Sequence, residues 1–205
     1  DVYKRQPRDI TSGDFNHDGQ IDVAVVSDAD AVASIFLNRS GGLFSDRLVA
    51  SVSSGSKGQL PSAIVTGRFN DDAFADIATL NPTDGTVSVL QSNGDGTFDD
   101  DRSVFHGSGA NDLALADLNG DGRPDAISSL YASNQLSIQL GLGDGSFVLL
   151  RPIALPGAPY ACCTTDINGD GRADVCVTVW RAKPLIDQVV VLYGLGDGTF
   201  TTGAI

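Results

Sequence analysis

Two short signatures recur in step along the chain, and together they limit it to a repeat architecture. The first is an acidic loop: "DFNHDGQID" from Asp14, "RFNDDAFAD" from Arg68, "DLNGDGRPD" from Asp117 and "DINGDGRAD" from Asp166. Its starts lie 54, 49 and 49 residues apart. The second is a glycine turn closed by phenylalanine: "NRSGGLF" ending at Phe44, "SNGDGTF" at Phe98, "GLGDGSF" at Phe147 and "GLGDGTF" at Phe200. From loop start to phenylalanine is 30 residues in the first three repeats and 34 in the fourth. A fixed period with two locked landmarks means one small unit stacked four times, each too small to bury its own apolar faces.

The unit reads as four short strands. "AIVTGRF" and "DLALADL" run into the loop, and "DVAVVS", "DIATL" and "DVCVTV" leave it. "TVSVLQ" and "QLSIQL" then alternate apolar and polar residues, the period of a strand. The glycine turn leads to a fourth strand predicted to begin at the phenylalanine. All 26 acidic residues are Asp, which favours turns and caps over helix interiors. The expectation is an all-β protein of about four four-stranded β-propeller blades, over about 10–55, 62–105, 111–154 and 160–205. Residues 1–9 match neither signature and read as a linker or non-native segment. The fourth repeat ends five residues after Phe200, so a shortened last strand is expected, and with it an arc of a longer protein.

Composition removes several function classes. The hydrophobic content of 41% supports a packed core. A net charge of −13 offers no basic stripe for nucleic acid and no attraction to an anionic membrane. No apolar run approaches the roughly 20 residues of a membrane span. Neither His17 nor His106 stands in a nucleophile–base pattern, so no catalytic residues are expected in this chain. Cys162 occupies the slot held by Ile10, Ile64 and Leu113, which reads as a buried thiol. A cross-strand disulfide from the Cys162–Cys163 pair to Cys176 is the alternative.

The loops carry the chemistry. Counted from the first residue, oxygen-bearing side chains stand at positions 1, 3, 5 and 9, with glycine at 6. Alternate side chains converge when the backbone curls at that glycine, and the carbonyl at position 7 adds a further oxygen. A flexible ring of hard oxygens suits calcium better than magnesium or zinc. An EF-hand needs a bidentate Glu at position 12 and a following helix; here Val25, Ser128 and Val177 stand at position 12, inside strand sequence. The second loop has Arg68 at position 1 and Ala73 at position 6, so a cation replaces a ligand there. Arg68 is expected to neutralise Asn70, Asp72 and Asp76, and no calcium is expected in that loop. Asp95, Asp144 and Asp197 read as turn formers.

The pattern D-x-N-x-D-G-x-x-D before a β run, followed by a G-[ND]-G-[ST]-F turn, resembles FG-GAP and VCBS-type repeats. These are similar to the blades of the integrin α-subunit propeller and of many secreted bacterial proteins, and the resemblance extends from about Ile10. It implies an arc of a seven- or eight-bladed propeller, with calcium at the hairpin between strands one and two. Carried over by position, the ligands are Asp14, Asn16, Asp18, Gln20 and Asp22; Asp117, Asn119, Asp121, Arg123 and Asp125; and Asp166, Asn168, Asp170, Arg172 and Asp174. Gln20, Arg123 and Arg172 would act through their carbonyls. That makes three calcium sites, and such weak sites fill outside the cytoplasm.

The resemblance also implies that ligands meet the face opposite the calcium hairpins. "WRAKPLIDQ", four residues longer than its counterparts, is the richest segment expected there. Trp180, Arg181 and Lys183, with Tyr131 and Tyr160 in comparable loops, form the candidate ligand surface. Blade-to-blade packing is the other use for the same aromatics. The leading expectation is a non-catalytic, calcium-binding extracellular propeller mediating adhesion or ligand binding, its partner a carbohydrate or a protein. The alternative is a propeller segment of a secreted carbohydrate-active enzyme, such as a polysaccharide lyase.

Overall fold

In a computed structural model the chain is described over residues 6–27, 31–45, 47–52, 61–83, 85–99, 102–105, 107, 109–182 and 185–203. Strand pairing follows chain order. The first sheet is β1 (Pro7–Gly13), β2 (Asp22–Ser27), β3 (Val32–Phe36) and β4 (Leu48–Ser51). The second is β5 (Ala63–Gly67), β6 (Asp76–Asn81), β7 (Thr86–Leu90) and β8 (Arg102–Phe105). The third is β9 (Ala110–Ala116), β10 (Asp125–Leu130), β11 (Gln135–Gly141) and β12 (Phe147–Leu149), with β13 (Ile153–Ala154) also pairing to β11. The fourth is β14 (Ala158–Thr165), β15 (Asp174–Ala182), β16 (Leu185–Gly194) and β17 (Phe200–Thr202). Every pairing is antiparallel, and the one helical feature among the described residues is a 3₁₀ turn, Tyr131–Ser133.

The acidic loops are the β1–β2, β5–β6, β9–β10 and β14–β15 hairpins, as the repeat pattern predicts. Two boundaries differ. The strand expected to start at the phenylalanine does so in the third and fourth blades, whereas Phe44 and Phe98 make single bridges to Asn38 and Ser92 ahead of β4 and β8. β17 is as long as β12, but the continuation that β13 gives the outer edge of blade three has no counterpart in blade four among the described residues, as the shortened last strand predicts. β1 opens at Pro7, within the segment set aside as 1–9, and Asp9 accepts a bond from the Ile64 amide of the next blade (2.9 Å).

Blades stack face to face, so that the second and third sheets are covered on both sides. β1 runs beside β5, β5 beside β9, and β9 beside β14. Between blades one and two, Ala24, Val26 and Ile35 meet Ile64, Ile77 and Leu90. Between two and three, Ala78, Leu80, Val87 and Val89 meet Leu113 and Ala126. Between three and four, Ile127, Leu136 and Ile138 meet Val175, Val177 and Val179. In the second and third blades each central strand therefore faces one neighbour with its odd residues and the other with its even ones. That is why β6 and β10 are buried along their whole length.

The two sequence landmarks meet across these interfaces. The carbonyl at position 2 of each loop accepts a bond from the second glycine of the next blade's turn: Gly96 to Phe15 (3.0 Å), Gly145 to Phe69 (2.7 Å) and Gly198 to Leu118 (3.0 Å). The position-2 side chain packs beside the phenylalanine that closes the same turn. Phe15 lies 5.7 Å from Phe98 and Phe69 lies 5.9 Å from Phe147, centroid to centroid, while Leu118 shares a cluster with Phe200. The donating glycines have φ of 86°, 84° and 79°, a left-handed backbone that costs other residues roughly 1–2 kcal/mol.

Position 2 of the fourth loop, Ile167, has no such partner turn among the described residues and is 41% exposed, against 0% for Phe15 and 3% for Phe69 and Leu118. The same repeat position should thus carry two different costs. Phe15→Ala is expected to lose roughly 3–5 kcal/mol, the range for a truncated core aromatic, whereas Ile167→Ala should lose less than about 1 kcal/mol. Urea unfolding of both variants measures the contrast.

Candidate metal-binding loops

Three of the four acidic loops share one local fold, and it follows from their residues. The position-1 carboxylate turns back over the loop and accepts its amides. Asp14 takes Asp18 (3.1 Å) and Gly19 (2.9 Å). Asp117 takes Gly120 (2.8 Å), Asp121 (3.1 Å) and Gly122 (2.8 Å). Asp166 takes Gly169 (2.7 Å), Asp170 (3.1 Å) and Gly171 (2.8 Å). The curl needs a left-handed backbone at positions 4 and 6. Gly120 and Gly169 supply it at position 4, where His17 takes φ 56°, and Gly19, Gly122 and Gly171 supply it at position 6.

Positions 3, 5 and 7 close the ring. Asn16 donates to Asp18 (3.0 Å), Asn119 to Asp121 (3.0 Å) and Asn168 to Asp170 (3.1 Å). The amides of Gln20, Arg123 and Arg172 donate back to the same three aspartates at 2.8–2.9 Å. The oxygen donors thus gather along one short loop. A carboxylate oxygen already accepting an amide keeps a second lone pair, so the donor set suits a hard cation. Admitting one would replace the Asn–Asp side-chain bond at positions 3 and 5. Among the described residues no three His, Cys or acidic side chains stand ready-gathered as a metal group.

Position 9 has a second role that loop spacing does not show. Asp22, Asp76, Asp125 and Asp174 are fully buried, and each clamps the hairpin to the third strand. One oxygen accepts the position-2 amide: Phe15 (2.8 Å), Phe69 (2.8 Å), Leu118 (2.7 Å) or Ile167 (2.9 Å). The other accepts an amide at the far end of strand three: Asn38 (2.7 Å), Ser92 (2.8 Å), Gly141 (2.8 Å) or Gly194 (2.8 Å). Asp76 keeps both bonds in the loop that lacks a position-1 acid. The acid at position 9 therefore has a structural role that needs no metal.

Burial pushes the Asp125 carboxyl up to about 6, with the charges of Asp121 and Asp117 adding to the rise and two backbone donors opposing it. Asp22 and Asp76 are raised for the same first reason, with Asp18 and Asp14, and Asp72, adding their charge.

The second loop is built differently. Neither Asp71 nor Ala73 takes a positive φ, and no position-1 side chain gathers the amides. Arg68 forms no ion pair with Asp72 or Asp76 among the described residues, so it does not neutralise them as expected. Instead Asp71 lies 3.9 Å from the Arg123 guanidinium of the next loop, a largely exposed contact. In the glycine turns Asp95, Asp144 and Asp197 bond the hydroxyl and amide of Thr97, Ser146 and Thr199, which holds their carboxyls below the usual value. They act as turn formers.

The candidate ligand surface is divided between strands and a loop. Trp180 and Arg181 lie in β15, not in a loop, because the four extra residues lengthen the β15–β16 hairpin. Lys183 lies outside the described residues, as does His106. Tyr160 lies in β14 and Tyr131 on the 3₁₀ turn, and their rings meet across the blade three–four interface at 6.4 Å. Trp180 and Tyr160 border an open cavity of about 370 Å³ with Thr178, Val179, Gln188 and Val189. Cys162 faces blade three, 3.9 Å from the Ile127 carbonyl, and burial pushes its thiol up. Cys163 and Cys176 stand opposite one another in the ladder, and all three are free thiols.

Four antiparallel sheets stacked through shared faces define a β-propeller repeat protein, and the comparisons agree. The sequence matches the FG-GAP-like repeat family over residues 14–79, 68–128 and 117–177. The chain belongs to that family. It superposes on a chain in the crystal structure of BBS1N in complex with ARL6DN, soaked with lead, at a TM-score of 0.60 and 13% identity. That match covers 98% of this chain and 56% of the other. A chain of the Photorhabdus luminescens Tc holotoxin pore (TccC3-D651A mutant) matches at 0.52 and 17% identity, over 98% of this chain and 9% of that one. No curated protein matches the sequence.

Two outcomes test this local account. Asp76→Ala should cost roughly 1–3 kcal/mol, because two amides lose their acceptor, although its loop has no position-1 acid; urea unfolding measures it. Folding binds the Asp125 proton more tightly than the unfolded chain does, so in chelator its share of stability is present near pH 4 and lost as pH rises through about 6. Melting temperatures over that range should fall, and Asp125→Asn should flatten the slope.

Proposed function

We propose that the chain is a non-catalytic, calcium-stabilised segment of an extracellular β-propeller that mediates adhesion or ligand binding. One observation carries the metal assignment: the first, third and fourth loops fold alike around a position-1 carboxylate, while the second shares neither that acid nor the curl. Asp14, Asn16, Asp18, Asp22 and the Gln20 carbonyl would hold one ion. Asp117, Asn119, Asp121, Asp125 and the Arg123 carbonyl would hold a second. Asp166, Asn168, Asp170, Asp174 and the Arg172 carbonyl would hold a third. The ion would discharge the cluster of like charges that otherwise repel, and a bound cation favours ionised Asp125 and Asp22 against their burial.

Sites of the extracellular kind have dissociation constants of roughly 10⁻⁴–10⁻³ M, so millimolar calcium stabilises by roughly 0.4–1.4 kcal/mol per site. Cytosolic calcium would leave them empty, which supports a location outside the cell. A net charge of −13 also suits a partner that is neither nucleic acid nor an anionic membrane. A carbohydrate or protein ligand fits that exterior. Its site is not assigned to Trp180, which stands on a sheet face.

Calcium titration of the chelated protein by calorimetry tests the assignment. Three sites per chain are expected, and Asp121→Ala should leave two. A stoichiometry of zero or four overturns it.

A further inference from the structure

All three cysteines of the chain fall in the fourth blade. Cys163 and Cys176 are direct partners across the β14–β15 ladder. The same place in the ladder is held by Thr11 and Ala24 in blade one, Val65 and Ala78 in blade two, and Ala114 and Ile127 in blade three. The two cysteines stand at the base of the hairpin that carries the fourth acidic loop, Asp166 to Asp174.

Strand alternation decides which of the two adjacent cysteines can reach Cys176, because successive side chains point to opposite faces. Cys162 takes the inner face, its sulfur 3.9 Å from the Ile127 carbonyl of blade three. Its amide also turns away from β15 and donates to Asp112 of blade three (2.8 Å). Cys163 and Cys176 share the other face, and their thiols are in hydrogen-bonding contact. Since the Cys162 amide is not spent on β15, the adjoining Cys163–Cys176 pair is a hydrogen-bonded one, with Cα atoms roughly 5.5 Å apart. Disulfides most often span about 5.5–6 Å between Cα atoms. Cys163 is exposed and Cys176 half-buried, so an oxidant reaches Cys163 first. Burial, and then the charge of Cys163, push the Cys176 thiol up, which makes it the poorer first nucleophile.

We propose that Cys163 and Cys176 form a reversible cross-strand disulfide that staples the base of the fourth acidic hairpin, with Cys162 left as a buried thiol. The oxidant is a small-molecule disulfide such as oxidised glutathione. The Cys163 thiolate attacks one of its sulfurs, which forms a mixed disulfide and releases one thiolate. The Cys176 thiolate then attacks the Cys163 sulfur, and the second thiolate of the oxidant leaves. The protein gives up two protons and two electrons, and the oxidant becomes two thiols. Directly opposed Cβ atoms stand roughly 4.5–5.5 Å apart, wider than the roughly 3.5–4.5 Å of a disulfide. Closing the bond therefore draws the strands together, and a dithiol reopens it readily. The bond lies within one blade, so it needs nothing from either end of the chain, and it does not depend on the calcium reading.

The test incubates the whole chain with oxidised glutathione in chelator, alkylates the remaining thiols in denaturant and weighs the product by mass spectrometry. Wild type should become a single chain with one internal disulfide and one alkylated cysteine. Its melting temperature should stand roughly 4 °C or more above that of the reduced protein, and dithiothreitol should reverse the shift. Cys162→Val, which puts an apolar residue into the slot of Ile64 and Leu113, should keep both the bond and the shift. Cys163→Ser and Cys176→Ser should lose both with unchanged circular dichroism, and either variant serves if the other does not fold. Three alkylated thiols overturn the proposal, as does a reaction that stops at a glutathione adduct or joins two chains. So does a Cys162–Cys176 or Cys162–Cys163 bond that persists in the serine variants, or a bond that leaves the melting temperature unchanged.

Discussion

A carboxylate with no exposed surface, held by two backbone amides, recurs four times in this protein, and each blade is organised around it. Asp22, Asp76, Asp125 and Asp174 each fix the start of the second strand, the floor of the acidic loop and the end of the third strand. Charge-assisted bonds of this kind are roughly twice as strong as neutral ones. Burying a carboxylate is costly, and the cost shows in the raised values of Asp22, Asp76 and Asp125. The arrangement is stable because each oxygen meets a donor that would itself be unpaired.

The clamp also sets what the rest of the loop can do. With position 9 pinned below, positions 1, 3 and 5 are left on the exposed rim as oxygen donors, and position 2 turns inward. The position-2 amide bonds the clamp, its carbonyl accepts the next blade's glycine, and its side chain packs on the next blade's phenylalanine. One short hairpin thus serves its own blade, its neighbour and the acidic rim. This explains why the two landmarks keep the same separation in the first three repeats. The insertion in the fourth falls in the β15–β16 hairpin, away from both.

Much of this was legible from residues. Loop and turn spacing gave the four blades, and the alternation in "QLSIQL" placed the third strand. Arg68 and Ala73 mark the second loop as different, and its backbone differs at positions 4 and 6, where Asp71 and Ala73 take no left-handed conformation. Spacing marks the position-9 acids only as ligands, because it shows which oxygens lie near a loop and not which amides point at them. Trp180 reads as a loop residue because extra length looks the same in sequence whether it bulges out or extends a hairpin. Arg68 was expected to pair with Asp72 and Asp76, but cation and acid being neighbours in sequence does not bring their side chains together.

The sequence by itself determined the repeat, the β class and the chemistry of the loop rims, since these depend on local period and on which residue types tolerate a left-handed backbone or a turn. Only the tertiary structure decided which face of each strand meets which neighbour, and hence that Tyr131 and Tyr160 meet at a junction and that Trp180 and Ile167 lie on an open one. The physical reason is that strand alternation assigns side chains to two faces without saying what covers either. Coverage comes from stacking. In this chain the inner faces are covered by the next blade, and the same residue types on the outermost faces are not.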